Sequence, residues 1–230
     1  MEDADPLALD PQFAARLRPA GKRHDCQIYL ISPNDVGGNF PDQLRAALDA
    51  APVAAFQFRV KGVDQHAAAR LAEPLQAICA AADVAFIVND DMGLAKRLGA
   101  DGVHLGQGDG DVREARRLLG PDAQIGVTCH ASRHLAMEAG EAGADYVAFG
   151  AFFPTTTKKT EHVAGVELLG WWSALSDIAC VAIGGIDADN CAPLVRGGAD
   201  FLAVSGGVWN HVDCAAAGVQ ALHRAIAAAD

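Results

Sequence analysis

Residues 85–107 read Ala85-Phe86-Ile87-Val88-Asn89-Asp90, then Asp91-Met92-Gly93-Leu94-Ala95-Lys96-Arg97-Leu98, then Gly99-Ala100-Asp101, then Gly102-Val103-His104-Leu105-Gly106-Gln107. The first run is apolar, β-branched in part and too short for a helix. Asp91 opens a helical stretch, and the small residues of Gly99-Ala100-Asp101 allow a sharp return into a second short apolar run. A strand apolar on both faces is what a parallel sheet covered by helices requires. The stretch is therefore one strand–helix–strand unit. Working outward, the same unit recurs. Further strands are predicted at 27–32, 54–60, 124–130, 146–152, 180–185 and 201–207, and helical patterns lie at 64–82, 132–142, 189–196 and 212–228. Gly143-Ala144-Asp145 and Gly198-Ala199-Asp200 repeat the turn, each just before a strand. Eight strands alternating with helices predict a closed α/β architecture, the (β/α)8 TIM barrel. The pieces between repeats differ in length, which argues against a solenoid. No Pro/Ser-rich linker interrupts them. We expect a single domain, 26–230, preceded by an N-terminal extension, 1–25, with a lid helix over 10–18 at the barrel bottom.

The 230 residues fit the ~200–250 that one such barrel uses. At 51% hydrophobic and 20% charged, the chain is not disordered; at 6% aromatic, its core must rest on Ala, Val, Leu and Ile. The net charge of −11 has the wrong sign for a general nucleic-acid binder. An anionic ligand must meet a local basic cluster instead. The start, Met1-Glu2-Asp3-Ala4-Asp5, lacks the basic and apolar regions of a secretory signal, and no apolar run reaches the ~18–20 residues of a membrane span. Six cysteines without a CxxC pair read as reduced, mostly buried thiols. These readings predict a cytoplasmic protein whose partners are small molecules, with no nucleic acid and no membrane, and with self-association into a homo-oligomer left open.

In a barrel, chemistry gathers at the C-terminal strand ends. On the second strand, period two puts Gln57, Arg59 and Lys61 on one face, toward the barrel mouth, and Phe56, Phe58 and Val60 on the other. A forked guanidinium beside an ammonium suits an anion; a salt-bridged barrel interior is the alternative. Asn89 and Asp90 end the third strand, and Asp109 follows the fourth. Carboxylates beside a basic cluster suit a magnesium ion bridging phosphate oxygens, whereas Asp90, Asp91 or Asp109 could instead cap a helix. His104 alternates with Val103 and Leu105 and reads as barrel-filling. Thr128 and His130 share a face at the fifth strand's end. His130 is either an acid/base or a structural histidine, and Cys129 points away without an activating partner. The loop Gly150-Ala151-Phe152-Phe153-Pro154-Thr155-Thr156-Thr157-Lys158-Lys159 offers hydroxyls and ammoniums to a phosphate. Gly184-Gly185 and Ser205-Gly206-Gly207 follow the seventh and eighth strands, where many barrels bind phosphate through backbone N–H groups. No nucleophile–base pair is evident, which argues against a covalent enzyme intermediate. The residues themselves thus indicate a barrel enzyme acting on phosphorylated small molecules.

Taken in order, Gln57-x-Arg59-x-Lys61, Asn89-Asp90, Gly102-Val103-His104-Leu105-Gly106-Gln107-x-Asp109, Phe153-Pro154-Thr155-x-Thr157-Lys158 and Gly184-Gly185-Ile186 resemble the thiamine phosphate synthase and TenI superfamily over about residues 26–210. The resemblance implies a transferase joining hydroxymethylpyrimidine diphosphate to a thiazole phosphate or its carboxylate. The products are thiamine monophosphate and pyrophosphate, formed through a pyrimidine carbocation. It implies that Arg59, Lys61, Asn89 and Lys158 hold the diphosphate and that Asp90 and Asp109 hold Mg2+. Gln57 and Thr128 would lie near the pyrimidine, and Thr155, Thr157, Gly185, Val204 and Ser205 would hold the thiazole phosphate. The sequence departs from the family's pattern at Asp91, which adds a negative charge near the diphosphate, at Thr128 for serine, at Ala151 for proline, and at Gly206-Gly207. Two other readings share the fold: a TenI-type thiazole tautomerase, with His130 as its acid/base, and a barrel that binds thiamine phosphates without turning them over.

Overall fold

The computed structural model describes residues 25–155 and 163–229. The expected lid helix at 10–18 lies outside them. The strands are β1 (Gln27–Ile31), β2 (Ala55–Phe58), β3 (Ala85–Asn89), β4 (Gly102–Leu105), β5 (Gln124–His130), β6 (Tyr146–Gly150), β7 (Ala179–Ile183) and β8 (Phe201–Val204). They close in sequence order into one parallel barrel, with β8 paired to β1. Among the described residues the helices are α1 (Phe40–Ala50), α2 (Gln65–Ala81), α3 (Met92–Leu98), α4 (Val112–Leu119), α5 (Arg133–Ala142), α6 (Glu167–Leu175), α7 (Ala192–Arg196), α8 (Gly206–Trp209) and α9 (Ala215–Ala229). The (β/α)8 expectation is met. None of these helices is long and apolar enough to cross a membrane. All six cysteines are free thiols; five are buried and Cys214 is exposed.

Several strands stop earlier than their sequence suggests. β2 ends at Phe58 rather than 60, and β8 at Val204 rather than 207. The residues beyond leave the ladder for other partners: the Arg59 N–H donates to Ser32 Oγ at 2.8 Å. Likewise α7 begins at Ala192 rather than 189, because Asp187 Oδ1 accepts from the N–H groups of Asp189 and Asn190 and holds that segment as a turn.

The Gly-Ala-Asp repeat has a physical explanation. Asp101 takes the N–H of Phe86 on Oδ2 at 2.7 Å and gives its own N–H to the Phe86 carbonyl at 3.0 Å. Asp145 does the same to Ile125, at 2.6 and 2.8 Å, and Asp200 to Cys180, at 2.7 and 3.0 Å. Each aspartate therefore clasps both polar groups of one residue at the base of the preceding strand, where ladder bonds would otherwise run out. Gly99, Gly143 and Gly198 have φ of +58°, +95° and +98°, a region that L side chains enter only with strain, and so turn the chain from helix into clasp. Arg116 of α4 reinforces one clasp. Its Nη2 donates to Asp145 Oδ2, and its Nη1 donates to the carbonyls of Gly120, Pro121 and Ala123.

The core forms two shells, because successive side chains of a strand point to opposite faces. Ile28, Leu30, Phe56, Phe86 and Trp172 belong to the outer shell, between sheet and helices. Tyr29, Ile31, Ile87, Tyr146, Ala148, Val181 and Ala203 fill the barrel itself. Gly126 faces Tyr146 across the β5–β6 pair, and a β-carbon there would overlap the tyrosine ring. The missing side chain on β5 makes room for the large one on β6.

Asp145→Ala should strip partners from the Ile125 N–H and from Arg116 together. We expect a loss of about 2–3 kcal/mol in urea unfolding. Asp42→Ala removes an exposed pair with Arg45 and should cost less than about 1 kcal/mol. Equal effects would contradict the clasp.

Candidate active site

A cavity of about 760 Å³ opens at the C-terminal ends of the strands. Gln57, Arg59, Lys61, Asn89, Asp90, Asp109, Thr128, His130, Thr155, Gly185 and Ser205 all line it. Val204 does not: strand alternation sends its side chain, 1% exposed, into the outer core, which leaves only its backbone to face the mouth. Thr157 and Lys158 lie outside the described residues.

One side of the cavity carries opposed charges. The loop after β2 bears Arg59 and Lys61 and is tied down from β1: Ser32 Oγ accepts from the Arg59 N–H, and Asn34 Oδ1 accepts from the Lys61 N–H at 2.7 Å. The Lys61 Nζ lies 3.1 Å from Asp90 Oδ2. Asp90 has φ of +67°, a costly conformation for a residue other than glycine, and its N–H is fixed on the His104 carbonyl at 2.8 Å. Asp109 Oδ2 accepts from the Gly106 N–H at 3.0 Å. Burial first, then the hydrogen bond and negative charge of Asp90, push the Asp109 carboxyl above its ordinary range; the Gly106 N–H and Lys61 pull it down. Two neighbouring carboxyls are a donor pair suited to a hard divalent cation. Among the described residues no third His, Cys, Asp or Glu joins them, so such an ion would depend on ligand oxygens or water for its other positions.

Asp91 has a separate task. Its Oδ1 accepts from the Leu94 N–H at 2.8 Å, capping α3, and Gln65 Nε2 donates to both its oxygens. It does not line the cavity. The carboxylate expected to add charge near the diphosphate is thus turned to a helix start, outside the cavity lining. The cap of α4 is Asp111, not Asp109, which leaves Asp109 for the cavity.

β7 and β8 lie across the ring from β3 and β4, and here backbone replaces charge. Gly184 and Gly185 have φ of +101° and +67°. A β-carbon on Gly185 would overlap the Pro154 carbonyl oxygen, and one on Gly207 would lie 2.5 Å from the Ile186 carbonyl oxygen. Asn190 Nδ2 donates to the Gly185 carbonyl at 2.8 Å and holds the turn. Gly206 and Gly207 open the short α8, so their N–H groups have no acceptor within that helix. Glycine backbone facing a cavity beside Ser205 and Thr155 makes a neutral anion cradle.

Between these sides lies the polar floor. Gln57 and His104 are 3% and 5% exposed. His104 fills the barrel as expected, but its Nε2 also pairs with Thr128 Oγ1 at 2.8 Å. β5 has an irregular register between Thr128 and His130, and His130 has φ of +51°. That irregularity turns His130 to the cavity lining. Burial pushes the Cys129 thiol up to about 12, so it is no nucleophile at neutral pH. The sequence reading missed Tyr29 and Tyr146, which lie under this floor. They are the chain's only tyrosines and both fall on predicted strands, which was the available signal.

The thiamine monophosphate synthase family model matches residues 28–208. A thiamine-phosphate synthase of Erythrobacter litoralis is 68% identical over 207 residues, 88% of this chain and 96% of that one. Another, of Rhodospirillum centenum, is 55% identical over 201 residues, 87% of this chain and 97% of that one. Among solved structures, a thiamine phosphate pyrophosphorylase from Pyrococcus furiosus superposes with a TM-score of 0.78 at 28% identity, covering 89% of this chain and 97% of that one. A match across nearly the whole barrel, at these identities, means that the chain belongs to the thiamine monophosphate synthase family.

Proposed function

We propose that this cavity joins hydroxymethylpyrimidine diphosphate to a thiazole phosphate and releases thiamine monophosphate and pyrophosphate; from the carboxylate form of the thiazole, CO2 leaves as well. The observation that carries the reading is the pairing of two unlike anion sites across one neutral floor. Arg59, Lys61, Asn89 and the Asp90–Asp109 pair face one way; the glycine turns after β7 and β8 face the other. A diphosphate needs fixed cations, and a monophosphate can be held by backbone N–H groups.

In this reading Arg59, Lys61 and Asn89, with Lys158 from the loop after β6, grip the diphosphate. The carbon–oxygen bond to pyrophosphate breaks as negative charge builds on the leaving oxygens. Lys61 and Arg59 stabilise that charge from a loop whose backbone is held by Asn34 and Ser32. Gln57 and Thr128 position the pyrimidine on the floor. Thr155, Thr157, Gly185 and Ser205 hold the thiazole phosphate so that the ring nitrogen meets the carbocation before water does. Magnesium held by Asp90 and Asp109 would neutralise the diphosphate oxygens. A tautomerase would use His130 and give the charged corner no task, which favours the synthase. We place the enzyme in the cytoplasm, working on small molecules.

The test is to mix purified protein with both substrates and magnesium and to follow thiamine phosphate and pyrophosphate together. Equal yields of both are expected; neither from folded protein overturns the reading. Lys61→Ala and Arg59→Ala should each lower kcat/KM by about 10²-fold with an unchanged melting temperature. Full activity in either would contradict the diphosphate assignment. Asp109→Asn removes one of two repelling carboxylates. It should fold at least as stably as the parent, yet need about tenfold more magnesium for half-maximal rate. An unchanged magnesium requirement would remove Asp109 from the metal site.

A further inference from the structure

Beneath the cavity runs an unbroken line of five side chains. Gln57 Nε2 donates to Tyr29 Oη at 3.0 Å. Tyr29 Oη lies 2.9 Å from Tyr146 Oη. Tyr146 Oη lies 3.1 Å from His104 Nδ1, and His104 Nε2 lies 2.8 Å from Thr128 Oγ1. The line begins and ends at residues that line the cavity, Gln57 on β2 and Thr128 on β5; His104 also reaches the lining, and Tyr29 and Tyr146 are shut inside the barrel.

Its hydrogens have a direction. An amide nitrogen only donates, so Tyr29 accepts from Gln57. The Tyr29–Tyr146 contact admits either donor and the His104 contacts either tautomer; the order that continues from Gln57 has Tyr29 passing its single hydrogen to Tyr146, and Tyr146 its own to a lone pair on His104 Nδ1. The proton of the neutral imidazole is thereby placed on Nε2 and donated to Thr128. Thr128 Oγ1, already accepting, has its hydrogen left for the cavity. At the other end, the amide of Gln57 keeps its carbonyl oxygen as acceptor. Burial supports the order: it pushes the Tyr29 hydroxyl up to about 12 and Tyr146 well above its ordinary value, so both keep their hydrogens.

We propose that His104 is the positioning residue of this site: with Tyr29 and Tyr146 it forms a one-way hydrogen-bond relay that presents a donor hydroxyl at Thr128 and an acceptor oxygen at Gln57 to the substrate. The relay selects a neutral nitrogen heteroaromatic that offers an acceptor to Thr128 and an amino hydrogen to Gln57, the edge chemistry of an aminopyrimidine. Assigning that ligand rests on the synthase reading; the proton order does not.

The experiment has two arms. In the first, the full chain is labelled with 15N-histidine, and long-range 1H–15N correlations are recorded at pH 7.5. The His104 signals are identified by their loss in His104→Gln. Protonated Nε2 with bare Nδ1 is expected; a proton on Nδ1, or on both, overturns the relay. In the second, Tyr146→Phe and Tyr29→Phe each cut the line without emptying the barrel. Each should raise KM for the pyrimidine diphosphate about three- to tenfold, the loss of one hydrogen bond, and leave KM for the thiazole phosphate within twofold. His104→Gln, which keeps an N–H toward Thr128, should recover most of the affinity that His104→Leu loses. A purely structural role would instead lower the melting temperature with both KM values moving together or not at all, and that result overturns the proposal. A folded parent chain that makes no thiamine phosphate, with the expected tautomer, overturns the synthase reading alone.

Discussion

A closed parallel barrel must fill its own interior, and this one does so with hydrogen-bonded aromatic side chains instead of aliphatic layers alone. Tyr29 and Tyr146 meet at 2.9 Å in the middle, with Gln57 and His104 paired to them. Buried polar groups of this kind cost free energy unless each finds a partner. Among the described residues, every fully buried side-chain nitrogen and oxygen has one. The pairing fixes rotamers on β1, β2, β4 and β6 at once, and through His104 it reaches Thr128 on β5. The floor of the cavity is therefore the top of the core, and its geometry is as rigid as the core.

The rest of the site hangs from that floor. Parallel strands all finish at one end, so eight short segments deliver their next residues to one mouth. The chain as a whole repels anions with a net charge of −11. Arg59 and Lys61 supply positive charge locally, beside Asp90 and Asp109, and their loop is fastened to the segment after β1 by Ser32 and Asn34. The opposite wall uses glycine backbone instead of cations. One wall of paired cations and carboxylates and one amide wall differ in the anion each suits, because fixed charge favours the more highly charged ligand. At the other end, the aspartate clasps seal the barrel where no ligand is needed.

Strand order and inward parity were legible in the sequence because they depend on local pattern. Alternation around Gln57, Arg59 and Lys61 placed the right residues at the mouth, and the Gly-Ala-Asp repeat marked the returns to the sheet. What depended on distant partners was not legible. Tyr29 and Tyr146 are 117 residues apart, and neither neighbourhood names the other. Val204 stands next to Ser205 in the chain, and one step along a strand sends its side chain to the outer core. Asp90 and Asp91 are adjacent acids at one strand-to-helix turn, and on paper either could cap the helix. The chain separates them by giving Asp91 the free N–H of Leu94 and turning Asp90, with φ of +67°, toward Lys61. Several strand ends were overextended because residues just past the ladder, such as Arg59, Asp90, Gly184 and Ser205, line the cavity instead.

The central claim is that two phosphate groups of different charge occupy opposite walls of one cavity. A crystal structure of the protein with thiamine monophosphate, pyrophosphate and magnesium tests it most directly. The account predicts pyrophosphate against Arg59 and Lys61, the monophosphate at the glycine turns after β7 and β8, and the pyrimidine ring between them over Gln57 and Thr128. Both anions on one wall, or thiamine phosphate bound outside the barrel mouth, would contradict it.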